Sequence, residues 1–277
     1  MRKTLAIGLA LGLSIVGGSA GAGEIRPVRF ILVGDSTMAK TSGYGDAFCE
    51  RVLVADTCLN LARAGRSSAS FRREGRWDEV EGLLRGGGAY RATYVLIQFG
   101  HNDQPGKPGS STDLVREFPL NMERYAREVK ALGGVPVLVT PLTRRTFVAG
   151  KVDNNLRPWA DAIVKVARQE HVAVLDLNAD SNAAVQAMGQ DAADTLAVEP
   201  RPAGWVGPAV LPGAAGFGVG TPEHVQRPST PRTAFDRTHL GHQGAAYFAR
   251  MVESELKKAL PGLGTEFSPE SMNKSAR

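Results

Sequence analysis

Five short runs of apolar, largely β-branched residues recur along the chain: Val28 to Val33, Thr57 to Leu61, Tyr94 to Phe99, Val135 to Thr140 and Val172 to Leu177. Each is shorter than an ordinary helix and rich in strand-forming side chains, so each predicts a strand. Between and after them, apolar positions fall at helical spacing over Phe118 to Leu132, Leu156 to Glu170 and Gly244 to Leu260. Near-continuous apolar strands alternating with helices predict a parallel sheet covered on both faces, because parallel neighbours need a crossover connection. The expectation is one α/β three-layer α/β/α sandwich with a five-stranded parallel sheet. In such sheets functional groups gather at the carboxyl ends of the strands.

Three segments depart from this rhythm. At the start, Arg2 and Lys3 precede the apolar run Leu5 to Val16, and small residues follow in Ala20-Gly21-Ala22. This predicts a signal peptide over 1–22, cleaved after Ala22. The run is shorter than the roughly 20 apolar residues of a membrane anchor, so a secreted or periplasmic domain over 23–262 is expected, with no stable membrane association after cleavage. Gly17-Gly18-Ser19-Ala20-Gly21 fits the G-x-S-x-G nucleophile elbow, but that motif has meaning only on a strand-turn-helix. Within a leader it carries no weight. From Glu199 to Arg232, seven prolines and six glycines in 34 residues predict an irregular insertion, either a wall of the functional site or a passive excursion. The tail over 263–277 is expected to fray.

Composition narrows the class. With 43% hydrophobic, 22% charged and 6% aromatic residues among 277, the chain is neither disordered, collagen-like nor a disulfide miniprotein. The formal charge of +5 is too small to indicate a nucleic-acid partner without a clustered basic face. Two cysteines, Cys49 and Cys58, are too few for a cysteine-based zinc site and lack C-x-x-C spacing. In an exported protein they are candidates for one disulfide; two buried thiols are the alternative. The five histidines show no H-E-x-x-H spacing, and no Walker-type phosphate loop occurs. No metal or cofactor is expected.

The candidate chemistry lies past the strand ends. Gly34-Asp35-Ser36-Thr37 places a hydroxyl after the first strand, and serine needs a base to act as a nucleophile. Alone, the tripeptide is an ordinary turn. Gly65 follows the second strand and could present an unobstructed backbone N–H; Gly100-His101-Asn102-Asp103 follows the third, where the Asn102 amide offers another donor. Such donors could form an oxyanion hole. Near the end, Asp236-Arg237-Thr238-His239 precedes the last helix. An Asp three residues before a His can accept from Nδ1–H and leave Nε2 for the serine. Of the other histidines, His242 predicts a helix-surface residue and His101 a loop residue lining the site. Asp35 and Asp103 are expected to order their loops.

Taken in order, Ser36, Gly65, Asn102 and His239, with Asp236, resemble the four blocks of the SGNH (GDSL-type) hydrolase superfamily over essentially the whole mature length. The wording Gly34-Asp35-Ser36-Thr37-Met38-Ala39, Ala64-Gly65-Arg66-Ser67-Ser68, Gln98-Phe99-Gly100-His101-Asn102-Asp103 and Asp236-Arg237-Thr238-His239-Leu240 is similar to the rhamnogalacturonan acetylesterase family. The resemblance implies a flavodoxin-like sandwich and a carbohydrate O-acetylesterase acting on pectic polysaccharide. It implies Ser36 as nucleophile, His239 as base and Asp236 as its orienting carboxylate, with the oxyanion held by the Ser36 and Gly65 N–H groups and the Asn102 amide. The Pro/Gly-rich insertion is longer than that family leads one to expect.

The resemblance gives the positive charge a candidate use. Arg63, Arg66, Arg72, Arg73 and Arg76 cluster around Gly65, and guanidinium forks bind carboxylates well, so an acetylated acidic polysaccharide is the expected partner. Arg66, His101 and Arg63 are the candidate substrate contacts. Pairing of the cluster with Glu74, Asp78 and Glu79 is the alternative. Two other functions compete: a lipid or aryl ester hydrolase, which needs a long apolar slot, and a non-catalytic carbohydrate-binding protein, which would not need the intact serine set.

Overall fold

The computed structural model describes residues 26–205 and 235–269. The leader expected over 1–22, most of the insertion expected over 199–232 and the last residues of the tail lie outside the described residues.

All five apolar runs form strands of one parallel sheet: β1 (Val28–Gly34), β2 (Thr57–Asn60), β3 (Ala92–Gln98), β4 (Val135–Val139) and, after a two-stranded hairpin of β5 (Phe147–Val148) and β6 (Lys151–Val152), β7 (Ala173–Leu175). The sheet order is β2-β1-β3-β4-β7. The chain therefore moves one way from β1 to β2 and the other way from β1 to β3, which opens a crevice at the carboxyl ends of β1 and β3. This is a flavodoxin-like three-layer sandwich.

Alternation along the strands sorts side chains to two faces. Phe30, Leu32, Leu96, Val137 and Leu175 pack with helices α1 (Gly45–Cys49), α6 (Leu177–Asp194) and α7 (His242–Ala259). Ile31, Val33, Val95, Ile97 and Leu138 pack with α2 (Ser68–Arg73), α3 (Arg76–Arg85), α4 (Glu117–Ala131) and α5 (Arg157–Glu170). Helix α4 shows why the spacing predicted a helix: Phe118, Met122, Tyr125, Ala126 and Val129 form its buried stripe. The short helices α1 and α2 and the longer α3 and α6 were not expected. Residues 176 and 177, read as the end of a strand, instead start α6: the Asp176 side chain accepts from the Ala179 N–H, capping the helix.

Two further expectations meet the structure here. Cys49 and Cys58 are disulfide-bonded and join the end of α1 to β2 across a Cα–Cα distance of 5.3 Å. The fraying expected from residue 263 does not begin there. Leu263 is buried, Phe267 is 5% exposed against Phe30 and Phe48, and residues 266–268 bond to 51–53 through Leu53 N–H to Glu266 O (3.0 Å) and Ser268 N–H to Arg51 O (2.8 Å). An aromatic side chain that finds a core site outweighs the tendency of a chain end to fray. Among the described residues no helix is long and apolar enough to cross a membrane.

Candidate active site

Strand β1 ends at Gly34, and the next residues turn sharply: Asp35 O accepts from the N–H groups of Met38 (3.2 Å) and Ala39 (2.9 Å). Asp35 itself is fully buried, and its Oδ1 accepts from the Thr37 N–H (2.9 Å) and hydroxyl (2.8 Å). The turn is pinned to β3 by Gln98, which donates to Thr37 Oγ1 (2.7 Å) and accepts from the Tyr44 hydroxyl (2.7 Å). This leaves Ser36 at the mouth of the crevice, 6% exposed.

His239 reaches Ser36 from the far end of the chain. Its Nε2 lies 2.9 Å from Ser36 Oγ, and its Nδ1 lies 2.8 Å from Asp236 Oδ2. The second carboxylate oxygen of Asp236 accepts the N–H groups of Thr238 and His239, each at 2.7 Å. A carboxylate can only accept, so Nδ1 carries the proton and the Nε2 lone pair faces the serine hydroxyl. Burial alone would raise the pKa of Asp236; the bonds from His239 and Thr238 outweigh it and hold the carboxyl down at about 2. His242 is the exposed first residue of α7 and takes no part.

The loop carrying Asp236 and His239 is held by residues that no local motif announced. The buried Arg145 guanidinium donates to Asp236 O (3.2 Å) and His239 O (2.8 Å), and its backbone N–H donates to Arg237 O (2.9 Å). Burial lowers the pKa of Arg145 to about 10, although Asp236 and Asp194 oppose the shift. Arg237 makes a two-point pair with Asp194 (2.9 and 3.0 Å) and lies under the Trp205 ring, 4.5 Å from its centroid. Ser42 bonds both sides: its hydroxyl donates to Ser36 O (2.8 Å), and its carbonyl accepts from Leu240 N–H (2.9 Å). The Ser36 and His239 loops are thereby tied together through one residue.

The oxyanion candidates sit on the neighbouring strand ends. After β2, Arg63 N–H donates to Gly34 O (2.9 Å), which draws the Gly65 turn alongside the start of the Ser36 loop. Gly65 adopts φ +81°, a conformation that a side chain would strain. It is exposed and does not line the pocket. Asn102 does line it; its Nδ2 donates to Arg66 O (3.0 Å) and its Oδ1 accepts from Lys107 Nζ (3.2 Å). Gly100, with φ +141° and a Cβ position only 3.0 Å from Pro141, is the turn that brings Asn102 here. Asp103 fastens the two loops, accepting from Ser68 Oγ (2.6 Å), Ser68 N–H (3.1 Å) and Thr112 Oγ1 (3.0 Å). Burial pushes its pKa up to about 7 against these bonds.

The arginine cluster follows the alternative of local pairing for two of its members. Arg66 pairs with Glu74 (3.0 Å), Arg76 with the same Glu74 (2.7 Å) and Arg72 with Glu128 (2.7 Å), while Arg73 bonds Gly109 O. Arg63 is exposed, and neither Arg63 nor Arg66 lines the pocket. Among the described residues the cations that line it are Lys107, Arg144 and Arg237. His101 also lines it, buried, with Nδ1 3.4 Å from Asp35 Oδ2. Burial lowers the pKa of His101, opposed by Asp35, so the imidazole is neutral at neutral pH. Among the described residues no hydrocarbon side chain contributes to the pocket wall. Among the described residues no group of three or more His, Cys, Asp or Glu could hold a metal ion. The arrangement suits acyl transfer through serine: a hydroxyl, a base aimed at it, a carboxylate behind the base and nearby donors.

Residues 32–205 match the family model described as the GDSL-like lipase/acylhydrolase family. The chain is 28% identical over 241 residues to the rhamnogalacturonan acetylesterase RhgT of Bacillus subtilis, covering 84% of this chain and 91% of that protein. It is 45% identical to a rhamnogalacturonan acetylesterase of Emericella nidulans, over 73 residues that span 26% of this chain and 27% of that one. Among solved structures, a Bacillus subtilis protein superposes with a TM-score of 0.61 at 23% identity, covering 87% of this chain and 58% of that longer one. Axe2, an acetylxylan esterase from Geobacillus stearothermophilus, superposes with a TM-score of 0.53 at 14% identity, covering 84% of this chain and 96% of that one.

Proposed function

Because the chain belongs to the GDSL-like lipase/acylhydrolase family, we propose that this serine ester hydrolase is an exported carbohydrate esterase that removes O-acetyl groups from pectic, rhamnogalacturonan-like polysaccharide. The observation that carries the reading is the hydrogen-bonded series Ser36 Oγ, His239 Nε2, His239 Nδ1 and Asp236 Oδ2, at 2.9 and 2.8 Å. Two features favour an acetyl group on a polar carrier over a fatty acyl chain: among the described residues the pocket wall has no hydrocarbon side chain, and curated relatives carry acetylesterase names. Cations in the wall favour an acidic polymer.

In this mechanism Ser36 Oγ attacks the acetyl carbonyl carbon as His239 Nε2 takes the hydroxyl proton, and Asp236 stabilises the imidazolium that forms. The carbonyl oxygen becomes an oxyanion held by the Ser36 and Gly65 N–H groups and the Asn102 amide. His239 returns the proton to the departing sugar oxygen, which leaves as the free hydroxyl. A water then gives its proton to His239 and attacks the acetyl-serine ester; collapse releases acetic acid and restores Ser36.

The test is acetate release from acetylated rhamnogalacturonan, acetylated xylan and a long-chain nitrophenyl ester, by the wild type and Ser36→Ala. We expect preference for the first polymer and loss of at least ~10³-fold in Ser36→Ala. Activity surviving that substitution would remove Ser36 from the mechanism, and preference for the long-chain ester would remove the substrate class. Export is tested separately, by the N-terminal sequence of the mature protein, expected to begin at Gly23.

A further inference from the structure

Lys107 is a pocket cation to which acyl transfer by Ser36 assigns no step. It follows Asn102 in the loop after β3, and both residues line the pocket with Ser36 and His239. Its ammonium donates to Asn102 Oδ1 at 3.2 Å, while Nδ2 at the other corner of the same amide donates to Arg66 O at 3.0 Å. An ammonium only donates and a carbonyl only accepts. The two contacts therefore fix which way the amide faces: oxygen toward Lys107, NH2 toward Arg66. Asn102 Nδ2 carries a second hydrogen that the Arg66 bond does not use.

We propose that Lys107 is a positioning residue of the oxyanion hole, which through its bond to Asn102 Oδ1 fixes and polarises the amide that donates to the oxyanion. The proposal rests on the role given above to Asn102. A hydrogen bond accepted at an amide oxygen draws electron density from its nitrogen and makes the remaining N–H a stronger donor. When the donor is a full charge the bond is roughly twice as strong as a neutral one. The gain appears only when negative charge has developed on the substrate oxygen, so it raises kcat rather than lowering KM.

The surroundings of Lys107 make the effect pH-dependent. Burial and the adjacent Arg144 lower its pKa to about 8, while Asp35 and Asp103 pull the other way. Among the described residues the other ionisable groups facing the pocket are the neutral His101, Arg237 with its Asp194 partner, and the Asp236–His239 pair. Lys107 is thus charged at neutral pH and loses its charge as pH rises through about 8.

The experiment measures kcat and KM with a nitrophenyl acetate between about pH 6.5 and 9.5, for wild type, Lys107→Met, Lys107→Arg, Asn102→Ala and the double variant Lys107→Met/Asn102→Ala. Melting curves accompany each variant, and Ser36→Ala supplies the background. Lys107→Met is expected to lose about 10-fold in kcat at pH 7 with KM within about 2-fold, a fraction of the ~10² to 10³ typical for a whole donor. Wild-type kcat should fall above pH 8, whereas Lys107→Arg, charged throughout, should keep most activity and stay flat there. In the Asn102→Ala background the Lys107→Met loss should shrink to about 2-fold or less.

An equal loss in both backgrounds, or a raised KM with unchanged kcat, would overturn the proposal, because Lys107 would then act on substrate directly. An alkaline fall that persists in Lys107→Arg would overturn it as well. Near-wild-type kcat in Asn102→Ala would instead remove Asn102 from the oxyanion hole, an outcome visible without any Lys107 variant. If Lys107→Met fails to melt cooperatively, the pH profile of Lys107→Arg decides alone.

Discussion

Asp236 does two things with one carboxylate. Oδ2 orients His239, and Oδ1 closes the turn that presents it by accepting two backbone N–H groups. Both tasks need the anion, which is why its pKa sits at about 2 rather than 3.8. A depressed folded-state pKa means that the unfolded chain binds more protons between those values, so the stabilisation is complete above about pH 4 and fades as pH falls toward 2. Asp236→Asn should therefore melt below the wild type at pH 6, with the gap narrowing between pH 4 and 2. It should also lose about 10⁴-fold in kcat through the wrong imidazole tautomer. Melting curves and kinetics across that range check both. A constant gap would mean that the charge of Asp236 is not what stabilises the turn. The hydrogen-bonded series of Ser36, His239 and Asp236 was legible in the sequence because each residue lies in a short motif at the end of a strand or before the last helix. Arg145 and Lys107 were not. Arg145 finds its carbonyl partners 91 and 94 residues away, and no local spacing encodes such a contact. Lys107 is only five residues from Asn102, yet a lysine in a loop gives no sign of whether it turns inward.

At the scale of elements, the five strands and three of the helices were readable because burial on both sheet faces or along one helix stripe leaves a periodic record. The shorter helices α1 and α2 left none. Helix α2 has six residues and is held by a reciprocal Ser67/Ser70 cap and by Asp103 rather than by an apolar stripe. The arginine cluster was legible only in part. Glu74, the partner of Arg66 and Arg76, lies beside them in the sequence, whereas Glu128, the partner of Arg72, comes from another helix. The disulfide links α1 to β2 across nine residues, and closing so short a loop contributes about 2 to 3 kcal/mol in the chain-entropy model. A Cys49→Ser/Cys58→Ser variant should melt roughly 5 to 10 °C lower while keeping kcat, since neither cysteine lines the pocket. An unchanged melting temperature would show that the packing of α1 suffices without the bond.

For the whole molecule, the segment after α7 is structural. Phe267 fills a site among Phe30 and Phe48 at the edge of one core. Phe267→Ala should cost about 3 to 5 kcal/mol, the usual range for a buried phenylalanine, read as a lower denaturation midpoint with an unchanged m-value. A loss below about 1 kcal/mol would return this segment to the frayed end that its sequence suggested. The assembly of the site carries a consequence for how the protein comes into being. Ser36 and His239 are separated by 203 residues, and the ties through Ser42 and Arg145 likewise require the late loop. A growing chain that has not yet reached Asp236 holds a serine with no base and an arginine with no carbonyls to grip. Activity that depends on this pair is therefore out of reach until the late loop has been made, and the nascent polypeptide is chemically silent up to that point.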